Sequence, residues 1–354
     1  MKEHSDNFLN DQDESDDLYQ DRILQVDPGQ GPERIDKYIT DKLIGISRNK
    51  VQAAIKAGAV TIDDKPIKSN YKLKGGESIK LIVPKQDVDH SKVLAEPIPL
   101  DIMYEDDHLM VINKPAGMVV HPAIGNWTGT LLNALAWHLH PEKPADNQPF
   151  ETEPPGLVHR IDKDTSGVMI VPKTDHSASH LGKQFYDHTI ERKYLALVWG
   201  SPEPEDGTIE GYIARHAKNR LIYTVIPEED RGKHAITHYK TIQSYYYVSL
   251  VECQLETGRT HQIRVHMKSI GHPLFADEKY GGMQIRKGTV FTKYKQFVQN
   301  CFGIMSRQAL HARSLGFIHP NTGKHMLFET DLPNDFQQVM DKWEHYLTYR
   351  KNNM

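Results

Sequence analysis

The body of this chain changes irregularly between strand-like and helix-like patterns, and this order restricts the possible fold more than any other feature. Short apolar runs typical of strands are VMIV at 168–171, LALVW at 195–199 and VSLVEC at 248–253. Helical spacing of apolar residues occurs near 175–187, 260–270 and 333–347. A doubly wound parallel sheet requires strands and helices to alternate regularly. The pattern therefore predicts an α+β fold with a mixed, largely antiparallel sheet.

The length of 354 residues predicts at least two folded units. Residues 84–101 contain three prolines and no sustained periodicity, which predicts a linker. The body would then span 102–354, beginning with a hairpin around Asp106-Asp107. Within it, 130–140 has helical spacing, and the five prolines of 141–155 predict a long surface loop.

The net charge of −4 argues against a protein that binds nucleic acid through a basic surface. That charge is unevenly distributed along the chain. Residues 1–31 have two basic and nine acidic side chains, which predicts a disordered acidic tail. Residues 32–82 have eleven basic and six acidic side chains. A small basic module therefore separates an acidic tail from a nearly neutral body.

The two cysteines provide no disulfide framework, which favours a reducing compartment. No apolar run approaches the roughly 18 residues of a membrane span. The N-terminus has neither the basic start nor the apolar stretch of a signal peptide. We therefore expect a soluble, cytoplasmic protein with no membrane contact. A monomer is a separate expectation, which these features do not determine.

The basic module, residues 32–83, has the pattern of two helices followed by short strands. Pro32 suits a first helical position, and apolar residues recur at helical spacing up to Leu43. Ser47 is a natural N-cap for the second helix, and Gly58 stands where a left-handed residue ends helices. Strand patterns VTI and SIKLIV follow, separated by turns.

The basic side chains of the second helix, Arg48, Lys50 and Lys56, lie away from its apolar stripe. They could contact phosphates or simply form a solvated face. The string from ERIDKYI to GGESIKL resembles an S4 domain, a small αα-β RNA-binding module. The resemblance implies that this helix and four basic residues, Arg34, Arg48, Lys50 and Lys56, face structured RNA through shape and phosphate contacts.

The segment HRIDKDTSG at 159–167 contains carboxylates at a spacing that resembles a calcium-binding loop. Asp162, Asp164, Ser166 and Gly167 match positions one, three, five and six of an EF-hand. Position twelve is Lys173 instead of a bidentate Glu, and a strand pattern replaces the exiting helix, so we reject calcium. A second possibility is that Asp162 only caps a turn.

Two further segments contain candidate site residues. In 192–200, alternation places Tyr194 on one strand face with Ala196 and Val198, as a core residue or as a ring that stacks on a base. In 257–271, Thr260 would cap a short helix on which His261, Arg264 and Lys268 share one face. That face suits an anionic partner, although a solvent-exposed face would have the same composition.

Together, in this order, the motifs resemble the RluA/RluD family of ribosomal RNA pseudouridine synthases. The motifs are NKPAGMVVHP at 113–122, HRIDKDTSG at 159–167, RKYLALVWG at 192–200, TGRTHQIRVH at 257–266 and LHARSLGFIHP at 310–320. With the S4-like module, the resemblance covers about 32–336 and is closest to the RluD branch. It implies large-subunit ribosomal RNA as the partner. Ile161 replaces the more usual Leu of the central motif.

The resemblance implies a reaction that detaches uracil from C1′, rotates it and rejoins it through C5, with neither metal nor cofactor. Asp162 would be the essential carboxylate, attacking C1′, attacking the base or removing a ribose proton. Arg264 would keep it charged, and Tyr194 would pack on the base. Substrate-binding residues would be Arg160, which holds the nucleotide out of the stack, and His159, Arg259 and Leu310.

Other classes fit the sequence less well. A non-catalytic RNA-binding or ribosome-assembly protein would not need Asp162, Tyr194 and Arg264 together. A serine hydrolase would need Ser166 in a G-x-S-x-G setting, and a metal-dependent hydrolase would need an evident ligand pair among the twenty histidines. Neither pattern is present in the sequence.

Overall fold

The computed structural model describes residues 18–352 apart from 44, 85–91, 124, 141, 145, 229–230 and 289–290. Its N-terminal unit is a four-stranded antiparallel sheet, in the order β1-β4-β2-β3, covered by two helices. The elements are β1 Tyr19–Gln25, α1 Ile35–Lys42, α2 Arg48–Lys56, β2 Val60–Ile62, β3 Lys65–Pro66 and β4 Ser78–Pro84.

The helix boundaries in this unit follow the capping residues. Ser47 is the N-cap of α2 and accepts a hydrogen bond from the backbone N–H of Lys50, as predicted. Gly58 follows α2 with a φ of 73°, also as predicted. The predicted helical role of Pro32 is wrong. Arg34, the N-cap of α1, stays extended because it forms a bridge with Lys72, so the helix begins at Ile35.

Part of the predicted disordered tail is a strand. Residues 1–17 lie outside the described residues, but β1 pairs along its full length with β4, from Tyr19↔Pro84 to Gln25↔Ser78. Leu24 packs against the core of the unit, and Val26 is buried in it. The prediction of disorder relied on the acidic composition of 1–31 as a whole, which does not reveal this short apolar segment. The open edge of β4 completes the backbone hydrogen bonds of the segment.

The body contains a ten-stranded sheet and confirms the predicted α+β class. Its sheet order is β12-β11-β13-β14-β10-β15-β9-β7-β6, with β16 beside β15. Within the described residues, β15 and β9 form the one parallel pair of this sheet. The strands of the body are β5 Val93–Ala95, β6 Ile102–Glu105, β7 Leu109–Lys114, β8 Phe150–Thr152, β9 Ser166–Pro172, β10 Glu191–Trp199, β11 Asp206–Arg215, β12 Tyr223–Ile226, β13 Lys233–Ser244, β14 Val248–Leu255, β15 Leu310–Ile318 and β16 His325–Glu329. The helices are α3 Leu131–Leu139, α4 Asp175–Tyr186, α5 Gln262–Ser269, α6 Thr292–Ile304 and α7 Asn334–Asn352.

The predicted linker 84–101 and surface loop 141–155 each contribute one strand. β5 pairs with β8, and the Asn133 side chain of α3 donates a hydrogen bond to the carbonyl of Leu94 at 2.7 Å. Val93 and Ala95 are buried against α3. These two segments are therefore part of the body because each supplies the other's backbone partner, although both look irregular when considered alone.

Helices α6 and α7 pack on the face of β10 that carries Leu197 and Trp199. Tyr194 lies on the other face of that strand. Helix α6 was not predicted from the sequence. It packs against α7 and β10 through Tyr294, Val298, Cys301 and Phe302. Within the part of the chain that the structure describes, no helix combines the length and apolar character that a membrane crossing needs.

The two units are in direct contact. Helix α2 packs against α4 of the body, and the Tyr19 ring of β1 rests on Gly182, where a Cβ would lie 2.5 Å from ring atoms. This contact requires glycine because any side chain would displace the ring. It places the first residues of β1 beside the cavity of the body.

Candidate active site

A cavity of about 500 Å³ opens where the 158–165 segment, the start of β10, the end of β14 and the start of α5 meet. Its walls include every residue of the body that the sequence analysis selected for catalysis or substrate binding. These residues are His159, Arg160, Asp162, Tyr194, Arg259, Arg264 and Leu310. Residues up to 151 positions apart in sequence therefore meet in one concave site, as binding sites require.

A buried lysine, Lys114, holds the loop that bears Asp162 through backbone hydrogen bonds. Lys114 Nζ donates to the carbonyls of Pro115 and Met118, each at 2.8 Å, and to that of Lys163 at 3.0 Å. Burial lowers the pKa of Lys114 to about 7. These three bonds join the KPAGM turn to the residue next to Asp162.

The same loop leads directly into strand β9, which begins at Ser166. Ser166 Oγ lies 2.9 Å from Nδ1 of the buried His311. A Cβ on Gly167, whose φ is 120°, would lie 2.2 Å from the carbonyl oxygen of Ala312. In the described residues, no three His, Cys, Asp or Glu side chains converge as metal ligands would. Ser166 and Gly167 thus serve the junction between β9 and β15.

Arg264 joins two carboxylates. Its Nη1 donates to Asp162 Oδ2 at 2.9 Å, while Nε and Nη2 donate to the two oxygens of Asp277 at 2.7 and 3.0 Å. Arg264 is only 4% exposed, and the Asp162 side chain keeps 22% of its surface accessible. The bidentate pair with Asp277 therefore fixes the guanidinium, and the remaining nitrogen fixes Asp162 at the cavity wall.

Asp162 is held in its charged form. Burial raises the pKa of its carboxyl, but His261 when protonated, the charge of Arg264 and the hydrogen bond from Arg264 lower the pKa more, so the net shift is downward. Burial also lowers the pKa of His261 to about 4. His261 is therefore neutral near pH 7, and Arg264 is the cation responsible for the ionised carboxylate.

The helix that positions Arg264 starts one residue later than predicted. His261, and not Thr260, is the N-cap of α5, with a left-handed φ of 57°. The Arg264 guanidinium and Lys268 Nζ lie over the Tyr280 ring at 5.0 and 5.4 Å, and His261 Nδ1 lies 2.8 Å from the Tyr280 hydroxyl. The predicted common face of the three residues is correct, but a tyrosine covers it.

Asp277 and Tyr280 both contact Arg264, and neither was predicted from the sequence. Both lie in the turn FADEKYGG, which has no periodicity to reveal a buried side chain. The sequence feature that could have indicated buried packing in this turn is the pair Gly281-Gly282. A Cβ on Gly282 would lie 1.7 Å from the carbonyl oxygen of Leu274, so the backbone packs closely there.

Tyr194 lies where the strand alternation placed it. It is 8% exposed and packs with Ala196, Val198 and Leu310 in one cluster. Burial raises the pKa of its hydroxyl, so the phenol is protonated at neutral pH. Tyr194 therefore presents a neutral ring and an O–H donor at the cavity.

The remaining wall residues are held by specific contacts. His159 Nε2 accepts the backbone N–H of Ile170 at 2.9 Å, and its ring stacks on Phe185 at 4.7 Å. Burial lowers its pKa to about 3, so the ring is neutral. Arg160 Nη2 donates to Thr260 Oγ1 at 3.2 Å, and Arg259 Nε donates to the carbonyl of His234 at 2.8 Å. His159 is therefore buried and held by Ile170 and Phe185, whereas Arg160 is exposed.

The four basic residues selected in the N-terminal unit have different partners. Arg34 and Arg48, with side chains 45% and 48% exposed, both donate to the buried Asp36. The hydrogen bond from Arg34 is the main reason why the pKa of Asp36 is far below its usual range. Lys50 is exposed. Lys56 is near α4, where burial and then its charge lower the pKa of His176.

Replacing Asp277 with Asn should reduce activity more than about tenfold and lower the unfolding temperature by several degrees. The amide keeps the shape but not the charge, and removing one partner of a buried pair costs about 3–5 kcal/mol. Turnover and thermal unfolding measure the two effects. Asp106→Asn is the control, because Asp106 bonds to His319 at 2.8 Å away from the cavity. Equal turnover in both variants would contradict a positioning role for Asp277.

Two family models match the chain. The model for RNA pseudouridylate synthase matches residues 108–269, and the model for the S4 domain matches 33–79. The first match contains the Asp162, Tyr194 and Arg264 motifs, and the second contains α1 and α2. The class that fold and cavity define is thus an RNA-modifying enzyme with an RNA-binding module.

Similar proteins extend this result to most of the chain. An uncharacterized RNA pseudouridine synthase of Chlorobaculum parvum is 46% identical over 320 residues, 90% of this chain and 96% of that protein. Ribosomal large subunit pseudouridine synthase D of Neisseria meningitidis serogroup B is 43% identical over 87% of this chain and 78% of its own. Human RNA Pseudouridylate Synthase Domain Containing 4 superimposes with a TM-score of 0.54 at 27% identity, covering 69% and 92% of the two chains. The chain belongs to the RNA pseudouridine synthase family, whose members are isomerases, and to its RluA/RluD branch.

Proposed function

We propose that this enzyme converts specific uridines of large-subunit ribosomal RNA to pseudouridine, acting as a cytoplasmic monomer without metal or cofactor. The observation that carries the proposal is the ionised Asp162, fixed by Arg264 in a cavity beside the Tyr194 ring. The names of relatives such as the Neisseria meningitidis protein support the choice of RNA.

The reaction breaks the N1–C1′ bond and forms a C5–C1′ bond. C5 loses one proton and N1 gains one, so substrate and product are isomers. Asp162 acts as a nucleophile at C1′, as a nucleophile on the base or as the base for a ribose proton. All three roles need the charge that Arg264 maintains. Tyr194 packs on the uracil, and its neutral hydroxyl oxygen assists loss of the C5 proton only as a hydrogen-bond acceptor, without taking the proton itself. The neutral phenol suits packing, because it puts no negative charge beside Asp162.

Extrusion of the target nucleotide requires contacts that replace the lost stacking, which is worth a few kcal/mol. Arg160 is placed for this role, because it is exposed at the cavity two residues from Asp162. His159, Arg259 and Leu310 complete the binding wall. Arg34, Arg48, Lys50 and Lys56 of the S4-like unit contact phosphates farther along the RNA.

Carbodiimide-based mapping of ribosomal RNA from cells with and without the gene tests the proposal directly. We expect one or a few large-subunit uridines to lose the pseudouridine signal when the gene is deleted. Re-expression of the wild-type gene should restore that signal, and re-expression of Asp162→Asn should not. Identical large-subunit maps with and without the gene would refute the proposed target.

Removing residues 1–91 should weaken ribosomal RNA binding and its salt dependence more than it reduces the rate on a short RNA. The deleted part contains the basic unit, whose phosphate contacts release counterions, and spares β5. Dissociation constants at several salt concentrations and single-turnover rates measure the two effects. A salt slope equal to that of the full chain would show that the unit does not bind phosphates.

A further inference from the structure

Arg192 is a buried arginine in the cavity wall. It lies near the start of β10, two residues before Tyr194, and so faces the same side of the strand. Arg192 is 8% exposed and lines the cavity. Both Arg192 and Tyr194 belong to the motif RKYLALVWG, but the sequence predicted a site role for Tyr194 alone.

The guanidinium of Arg192 has few partners. Nη2 donates to the carbonyl of Glu256 at 3.1 Å, and the group lies 5.6 Å from the Phe185 ring centroid. Nε is buried and makes no hydrogen bond to any described residue. No carboxylate of the described residues forms an ion pair with Arg192, unlike Arg264, which has two.

The backbone around Arg192 leaves space for the charged group. A Cβ on Gly258 would lie 2.8 Å from Arg192 Nη1. The glycine of the TGRTH motif therefore allows the guanidinium to lie directly against the chain. The cavity also has two acidic wall residues, Asp162 and Asp21, but Asp162 is bound by Arg264 and no ion pair joins Asp21 to Arg192.

An unpaired buried cation is costly, since the penalty for burying one ion amounts to several kcal/mol. Burial accordingly lowers the pKa of Arg192, with no carboxylate to oppose the shift. Buried charges in proteins are usually paired, so a buried arginine without a carboxylate in a cavity wall has room for an anion from outside. A nucleotide that enters a pocket from an RNA chain brings the two backbone phosphates that join it to its neighbours close to the pocket wall.

We propose that Arg192 binds a backbone phosphate of the RNA adjacent to the uridine that enters the cavity. The proposal rests on the proposed RNA substrate and adds a phosphate subsite to it. Tyr194 contacts the base and Arg192 contacts the phosphate, about 6.6 Å apart along one strand face. Binding supplies the missing anion, because the planar fork of arginine suits phosphate oxygens.

The test compares Arg192→Met with Lys193→Met. Both variants remove one positive charge from neighbouring residues of β10, but Lys193 pairs with Glu252 at 3.1 Å and is not a wall residue. The probe is an unmodified transcript of large-subunit ribosomal RNA, with binding measured across a series of salt concentrations. Thermal unfolding is measured for both variants and for the wild type.

For Arg192→Met we expect binding to weaken about 10- to 100-fold, the range for a hydrogen bond to a charged group. The slope of log K against log salt should fall by about 0.7–0.9, the value for one phosphate. The unfolding temperature should stay within a few degrees of wild type, because the variant removes an unpaired charge. Lys193→Met should match the wild type.

Equal affinity and slope in the two variants would overturn the proposal. So would an unfolded Arg192→Met protein, since the charge would then be needed for the fold. Pseudouridine formed by the wild type on the same transcript is counted separately. If none forms, the proposed target is wrong, while the binding data still decide whether Arg192 contacts an RNA phosphate.

Discussion

Asp162→Asn should abolish pseudouridine formation, with a loss of at least about a thousandfold, while the fold and RNA binding are largely retained. An amide is neutral, so it can neither attack carbon nor accept a proton at a useful rate, whichever of the three roles applies. The fold should tolerate the change, because Arg264 keeps its bidentate pair with Asp277. The amide oxygen can still accept the bond from Nη1.

The measurement is a single-turnover assay with excess enzyme, so that weakened binding cannot be mistaken for slow chemistry. Asp164→Asn is a matched control: it makes the same change two residues away, at a side chain that is not part of the cavity wall. The control should keep most of the wild-type rate. Turnover by Asp162→Asn within tenfold of the Asp164→Asn rate would show that the carboxylate is not essential.

The sequence was most informative where one residue pattern determines one local structure. Alternation in β10 correctly placed Tyr194 with Ala196 and Val198, since successive side chains of a strand must point to opposite faces. Ser47 and Gly58 correctly marked the ends of α2 for similarly local reasons. The motifs that resemble the family then selected residues that the structure brings together in one cavity.

Elements that form only through contacts with residues far along the chain could not be predicted from local sequence patterns. β1 and β5 are short and irregular in sequence, and each becomes a strand because another edge completes its hydrogen bonds. Asp277 is significant only because Arg264 reaches it from a separate helix. Arg192 differs from a surface arginine only through its burial without a carboxylate, which spacing along the chain does not reveal.

Arg264→Lys should reduce kcat/KM by about a hundredfold or more although the positive charge remains. Arg264 uses three nitrogens to contact two carboxylates, at distances of 2.7–3.0 Å. A lysine has one nitrogen at the end of a flexible stem, so it cannot maintain the planar pair with Asp277 while also contacting Asp162. The carboxylate then loses its fixed position and the main cation that keeps it ionised.

The control is Arg313→Lys, an arginine that pairs with Asp331 and Glu329 away from the cavity and should therefore tolerate the change. Thermal unfolding and kcat/KM are measured for both variants. If Arg264→Lys is folded and nearly as active as Arg313→Lys, a point charge near Asp162 is sufficient and the fork geometry is unimportant. If activity falls far more than stability explains, the orientation that Asp277 imposes on Arg264 is what keeps Asp162 competent for catalysis.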